Sequence, residues 1–244
     1  MKARIKFCKY GSMKYIGHLD IMRYFQKAIR RSGLPIKYSE GFNPHQIMSF
    51  AAPLGVGITS DGEYMDIELK EFVPSKEAQE RLQDTMVEGM EIASFRYLPD
   101  NAQNAMSSVT AASYLLSYKH PDEFPYTITE LQASKKAFFD DAGIIPIIKK
   151  TKKGERELDL KPLIYDFNIS EVCNSCGDSS ILFSLVVSTG STDNIKPELV
   201  LEHFFKHLGK EDLGRYDFFI HRKDMLTGEV GQFVSLGEIG DDKE

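Results

Sequence analysis

Three cationic side chains near the start of the sequence have the spacing of one edge of a helix. Arg23, Lys27 and Arg30 are separated by four and three residues, so on a helix they lie next to one another. Such a row can neutralise several phosphates of a nucleic-acid backbone, and Arg31 and Lys37 would extend it. The alternative interpretation is an ordinary solvated helix face without a ligand.

The segment that follows combines turn-forming residues with chemically active ones. Gly41 permits a positive φ and Asn43-Pro44 favours a turn, so we expect an exposed backbone there. In such a loop Phe42 can stack on a base, Asn43 can read a base edge and His45 can move a proton. The alternative is a structural turn in which Phe42 fills the core.

Two histidines are candidates for acid–base chemistry. His18 precedes the predicted helix, where the positive end of the helix dipole favours an anion, and His45 lies in the turn. Together they suggest metal-independent cleavage of RNA as an alternative function. A structural role is commoner for a single histidine, and nothing in the sequence fixes the distance between these two. We therefore predict no catalytic residue.

The sequence offers only fragments of a metal site. Cys173 and Cys176 have the spacing of half a zinc site, but no second cysteine pair or nearby histidine pair completes it. Asp66 and Glu68 could share a metal, although they and Glu63 are more simply explained as solvent-facing strand residues. The sequence also lacks a phosphate loop, a dinucleotide fingerprint and an iron–sulfur motif. We therefore predict no metal and no cofactor.

Charge is distributed unevenly along the 244 residues. The net charge is −6, yet residues 1–50 contain ten Lys or Arg against Asp20 and Glu40, a net of +8 that leaves −14 for the rest. This asymmetry indicates an anionic partner for the basic region alone. Only three cysteines are present, and no apolar stretch is long enough for a signal peptide or a membrane span. We therefore expect a cytoplasmic protein.

Hydrophobic periodicity predicts the order strand, helix, strand, strand, helix, strand for the first hundred residues. The first helix should end at Ser32-Gly33-Leu34-Pro35 and bury a stripe of Leu19, Met22, Phe25 and Ile29. A second helix should run from Pro74 to about Met86, and the strands should occupy 2–8, 46–52, 63–69 and 90–97.

The pattern partly recurs after a polar linker at residues 99–107. Strands are predicted at 109–118, 144–148, 156–170, 181–187 and 216–221, and helices at 129–140 and 197–208. We therefore predict an α+β fold of two ferredoxin-like (βαββαβ) lobes with antiparallel sheets. The first lobe should span 1–99 and carry the basic helix; the second should span 108–236 and contain inserted hairpins.

Several short stretches are those of a known family. They are Gly17-His18-Leu19-Asp20, Arg30-Arg31-Ser32-Gly33-Leu34-Pro35, Gly41-Phe42-Asn43-Pro44-His45, Ala52-Pro53-Leu54 and Gly62-Glu63-Tyr64-Met65-Asp66. Through them the chain resembles the radical-SAM-associated family of unknown function, and Glu157-Leu158-Asp159-Leu160-Lys161-Pro162 is similar to its second-lobe signature. Members occur alone or fused C-terminal to a radical SAM enzyme. The resemblance therefore implies an accessory partner of such an enzyme, which would itself hold the iron–sulfur cluster.

The predicted function is a non-catalytic module that binds RNA, or a substrate containing RNA, and presents it to a radical SAM partner. Arg23, Lys27, Arg30, Arg31 and Lys37 would hold phosphates, while Phe42, Asn43 and His45 would make specific contacts. One alternative is a ribonuclease, because the two-lobed layout is similar to the RNA-processing Cas6 group; this likeness of fold transfers no catalytic residue. The other is a protein–protein adaptor whose cationic face docks an acidic partner.

Overall fold

A computed structural model describes residues 1–151, 154–173, 179–190, 193–210 and 213–244, with only the backbone at 149–151 and 156. The strands are β1 (Lys2–Lys9), β2 (Met48–Phe50), β3 (Thr59–Glu68), β4 (Met90–Tyr97), β5 (Ala111–Tyr118), β6 (Pro146–Thr151), β7 (Gly154–Asp159), β8 (Ile164–Cys173), β9 (Ser179–Ser188), β10 (Phe218–Thr227) and β11 (Val234–Ser235). The α-helices are α1 (His18–Ser32), α2 (Ser75–Gln83), α3 (Ala105–Ser108), α4 (Ile128–Lys135) and α5 (Pro197–His207).

The chain forms two compact units. One unit comprises Met1–Ala112 together with His221–Glu244, and the other comprises Ser113–Ile220. The predicted α+β class is confirmed, because helices alternate with strands whose pairing is mostly antiparallel. Throughout the described ranges, each helix is too short or too polar to cross a membrane.

The first unit is built on a sheet with β3 at its centre. β1 pairs antiparallel with both β3 and β4, β2 pairs antiparallel with β3, and β10 adds a short parallel contact to β3. A large apolar core of side chains from α1, α2 and the sheet covers one face. A smaller core covers the other face and contains Tyr64, Ala105, Val109, Met225 and Leu236. β3 is therefore buried on both sides.

The first helix ends where predicted but has a rotated apolar face. α1 runs from His18 to Ser32, so His18 is its first residue and does not precede it as predicted, and Gly33 ends it in the left-handed conformation at φ 68°. Its buried residues are Ile21, Phe25, Ala28 and Ile29. Leu19, which the sequence placed on the buried stripe, is 67% exposed. That assignment was wrong because the sheet covers the helix side centred on Phe25, and position 19 lies outside it.

The carboxylates of β3 were wrongly predicted to face solvent. Glu63 and Asp66 are 4% and 7% exposed, because a sheet strand covered on both faces has no solvent side. Arg4 donates to Asp66 from Nε at 2.8 Å and from Nη2 at 3.0 Å. Arg222 donates to both oxygens of Glu63, at 3.0 and 3.1 Å. Each buried carboxylate is thus neutralised by an arginine, Asp66 through two nitrogens of Arg4 and Glu63 through Nη1 of Arg222 alone.

The second unit contains most of β5, all of β8 and β9, and its own core. β9 pairs antiparallel with β8, β5 lies beside β9, and β6 and β7 form a separate two-stranded hairpin. The predicted helix at 129–140 is α4 followed by a π-helical turn, Lys136–Asp140. Thr127 and Glu130 cap the start of α4 reciprocally. The core is rich in aromatic contacts, among them Phe167, Phe183, Phe204 and Phe205.

Breaking one buried ion pair should destabilise the first unit strongly. Asp66→Ala leaves the Arg4 guanidinium, 2% exposed, without its carboxylate, and we expect a loss of about 3–5 kcal/mol in the free energy of unfolding. Glu80→Ala is the matched control, because its pair with Lys76 is solvent-exposed and should be worth less than about 1 kcal/mol. Urea denaturation measures both, and equal losses would contradict the prediction.

Candidate nucleic-acid interface

The predicted cations of α1 all project into solvent. We call Arg23, Lys27, Arg30 and Arg31 the α1 basic face; each is exposed. Arg23 contacts Asp20 at 3.2 Å, and Arg31 donates to the Thr85 carbonyl at 3.1 Å.

Among the described residues, Lys27 and Arg30 have no hydrogen-bond or ion-pair partner. An exposed pair such as Arg23–Asp20 is worth at most about 1 kcal/mol, so a phosphate can displace it. Lys37 lies on a neighbouring segment and contacts Glu68 at 3.1 Å across exposed side chains.

The residues between Tyr38 and Gln46 form a short exposed loop, the 39–45 loop. Its base is closed by the Ser39 amide, which donates to the His45 carbonyl at 2.8 Å, and by Ser39 Oγ, which lies 2.9 Å from His45 Nδ1. Gly41 occupies φ 111°, a conformation that side chains rarely adopt. Phe42 is fully exposed at the tip. The interpretation of Phe42 as a core residue was therefore wrong, and its ring is free to meet a partner.

A buried glutamine joins this loop to α1. Gln46 is 5% exposed, and its Nε2 donates to the backbone carbonyl of Gln26 at 3.1 Å. Gln26 belongs to α1, so the loop base is tied to the helix that carries the α1 basic face. Gln46 Oε1 has no partner within the described part of the chain. The predicted specificity loop is therefore attached to the helix that carries most of the predicted phosphate contacts.

His18 and the loop that carries His45 contact α1 at different points. His18 is the first residue of the helix, and its ring packs edge-on against Phe50 with centroids 5.4 Å apart. The loop that carries His45 is attached at Gln26, eight residues further along and thus about 12 Å away on the helix axis. Burial, and then the charge of Lys9, lower the pKa of His18. His18 and the base of the loop that carries His45 thus meet α1 about two helical turns apart.

Sequence reasoning missed a polar cluster beneath His18. Lys9 is 2% exposed, and its Nζ donates to the Ile16 carbonyl at 2.8 Å. Burial lowers the Lys9 pKa and raises the Glu63 pKa. Both residues line a cavity of about 20 Å³ with His18, Phe50 and Leu54 among its other walls. The strand alternation held a signal for Lys9, because it continues the inward phase of Ala3, Ile5 and Phe7.

Possible metal ligands do not converge in the part of the chain that is described. No group of three His, Cys, Asp or Glu side chains there is placed to hold an ion. Asp66 is instead committed to Arg4, and Glu68 to Lys37. Cys173 is exposed, whereas Cys176 lies outside the described residues, so the Cys173–Cys176 pair stays a hypothesis.

Comparisons with known proteins give a family without an activity. The family model described as "Uncharacterized protein conserved in bacteria (DUF2344)" matches residues 2–197. No curated protein matches the chain. One solved structure that matches is an unknown protein from Galdieria sulphuraria, with 11% identity, coverage of 91% of this chain and 96% of that one, and a TM-score of 0.24.

The pH dependence of stability should report the packing of His18. Its pKa in the folded protein is below the ordinary value of 6.5, so the unfolded chain binds the proton first as pH falls. The contribution of the neutral imidazole is therefore fully present above about pH 6.5 and is lost as pH falls through the folded-state pKa. We expect His18→Gln to flatten the free energy of unfolding between about pH 7 and 5. Urea denaturation at several pH values, with His45→Gln as the control, measures this, and an unchanged slope in His18→Gln would contradict it.

Proposed function

We propose that this chain, which belongs to the DUF2344 family of uncharacterized bacterial proteins, binds RNA through the α1 basic face and the 39–45 loop. The observation that carries the proposal is the Gln46–Gln26 hydrogen bond, which ties the base of a loop with a fully exposed aromatic ring to the helix that carries the solvent-facing cations. A cationic row alone fits many anions. Cations next to a free aromatic ring fit a chain that offers both phosphates and unpaired bases.

The two elements would contribute different parts of the binding energy. Arg23, Lys27 and Arg30 would exchange bound counterions of the RNA for fixed charges, which gives affinity that depends on salt but not on sequence. Phe42 would stack on an unpaired base, which is worth about 1–3 kcal/mol. Asn43 and His45, exposed on the same loop, would contact base edges. Single-stranded RNA satisfies these requirements better than a duplex, whose bases are already stacked.

The topology of both units supports ferredoxin-like lobes. In the first unit the strand order is β4-β1-β3-β2, with α1 after β1 and α2 after β3. In the second unit β5, β9 and β8 lie in that order, with α4 after β5 and α5 after β9. Both follow the alternation of the βαββαβ plan, with β6 and β7 inserted as a hairpin. Layout alone assigns no activity.

A radical SAM enzyme is the partner that we propose. The support is the resemblance of residues 11–69 and 157–162 to the radical-SAM-associated family, in which such modules accompany or follow the enzyme. This chain would hold the RNA, and the partner would hold the cluster and perform the chemistry. Affinity purification at native abundance, with radical SAM enzymes quantified against an untagged control, tests the partnership; no enrichment rejects it.

The ribonuclease alternative gains no support from the geometry of the histidines. Acid–base cleavage needs both groups within hydrogen-bond reach of one reacting phosphate, whereas about 12 Å of helix separates His18 from the attachment point of the His45 loop. The adaptor alternative is an outcome of the binding experiment below, because an acidic protein would use the cations and leave Phe42 without a base to stack on.

Removing three charges should weaken RNA binding and its dependence on salt. For Arg23→Ala/Lys27→Ala/Arg30→Ala we expect at least about a tenfold loss of affinity for single-stranded RNA at low salt. The slope of log affinity against log salt should fall by about 2, because each lost phosphate contact on a single strand removes about 0.7. Fluorescence anisotropy across a salt series measures both quantities.

Two further variants make the result specific. Lys76→Ala/Arg81→Ala/Lys206→Ala removes the same charge from exposed positions elsewhere and should retain affinity and slope. Phe42→Ala should lower affinity about tenfold without changing the slope, because stacking involves no counterions. If the α1 triple variant and its control behave alike, RNA binding by this face is rejected; if Phe42→Ala has no effect, the cations act without the loop, as the adaptor alternative requires.

A further inference from the structure

The ammonium group of Lys9 is buried with most of its hydrogen-bonding capacity unused. An ammonium has three donors, and in the described part of the chain Lys9 Nζ has one acceptor, the Ile16 carbonyl. No carboxylate there lies within ion-pair distance of it. The side chain lines a cavity of about 20 Å³, which has room for roughly one oxygen-sized group. An acceptor that enters this cavity can therefore satisfy the unused donors.

The charges around this cavity leave a positive surplus. Glu63 also lines it, but both of its oxygens accept from Arg222. The Glu63–Arg222 pair is close to neutral, so the charge of Lys9 is the unmatched one. The depressed Lys9 pKa expresses the same deficit, since burial outweighs the attraction of Glu63. An anionic oxygen in the cavity would supply the missing partner.

The start of α1 adds backbone hydrogen-bond donors that also favour an anion. His18 and Leu19 are the first two residues of a fifteen-residue helix, and first-turn amides have no acceptor within the helix. Gly17, which precedes them, has no side chain with which to cap them. The His18 ring itself lines the cavity. A helix start of this kind favours phosphate. The buried charge of Lys9 makes this cavity the favoured position for the phosphate.

We propose that the cavity beneath His18 receives one oxygen of a phosphoryl group, which is held by Lys9 Nζ and by the first amides of α1. A terminal group fits better than a phosphodiester, because the two ester substituents that flank a phosphodiester would meet the walls formed by Phe7, Phe50 and Leu54. Its source is either a free phosphate or the phosphorylated end of an RNA strand. The second source rests on the proposed function, since Arg23 of the α1 basic face lies five residues further along the same helix.

Binding of matched RNA ends tests the second source. Fluorescent single strands of one sequence carry a 5′-phosphate, a 3′-phosphate or hydroxyl groups at both ends, and anisotropy gives their affinities. We expect the wild type to bind one phosphorylated end at least about tenfold more tightly than the hydroxyl-ended strand, the effect of one or two charge-assisted hydrogen bonds. Lys9→Met should abolish this ratio, and Lys2→Met, an exposed lysine on the same strand, should keep it.

A pocket-filling variant guards against a folding defect in Lys9→Met. Ala52→Leu extends a side chain that lines the cavity and retains Lys9, so it should also abolish the ratio. The melting temperature of Lys9→Met should not fall, because an apolar side chain replaces an under-paired buried charge. If Ala52→Leu and Lys9→Met both keep the wild-type ratio, the pocket is not the site.

Inorganic phosphate tests the first source without RNA. The imidazole NMR signals of His18 should shift and saturate with added phosphate in the wild type, and should not shift in Lys9→Met. A Lys9-dependent shift without any RNA binding supports the pocket and rejects the proposed function. RNA binding through the α1 basic face, with no preference for a phosphorylated end and no phosphate-dependent shift, overturns the pocket and leaves the proposed function intact.

Discussion

The ion pair between Arg222 and Glu63 determines how charge is distributed in the interior of the first unit. Glu63 sits in a strand covered on both faces, where an unpaired carboxylate would be strongly unfavourable. The guanidinium of Arg222 satisfies both carboxylate oxygens. Because Glu63 is committed in this way, it does not neutralise Lys9, and a positive charge remains beneath the start of α1. The electrostatics of the proposed pocket therefore originate in a structural ion pair.

Gln46 holds the 39–45 loop in place on the outer surface. A loop with an exposed phenylalanine would ordinarily move independently of a neighbouring helix. The buried amide of Gln46 donates to the backbone carbonyl of Gln26 in α1, and Ser39 and His45 close the loop from within. A ring held in place loses less entropy when it stacks on a base. A rigid loop base thus favours stacking by Phe42, even though the ring itself is fully exposed.

Local features of the sequence predicted most of the elements but not the buried charges. The end of α1 follows from Gly33, and β4 has the predicted bounds of Met90–Tyr97. The strand predicted at 156–170 is instead β7 and β8 with a 3₁₀ turn between them, because Pro162 interrupts the run. Glu63 and Asp66 were misassigned because alternation reveals which residues share a face and not whether that face is covered. The cover comes from residues far away in sequence, such as Leu236. Lys9 was recoverable from its phase in β1, whereas Arg222 was not, since no local pattern links it to position 63.

The long sequence separation between the two partners also bears on biosynthesis. Arg222 follows Glu63 by 159 residues, and the second unit occupies most of that interval. At about 5–20 residues per second, translation needs roughly ten to thirty seconds to cover it. During that time a nascent chain presents its cationic helix while the carboxylate below still lacks its guanidinium. Completion of the first unit therefore waits for the segment that carries Arg222, and the charge pattern of its pocket is set only after the second unit has been synthesised.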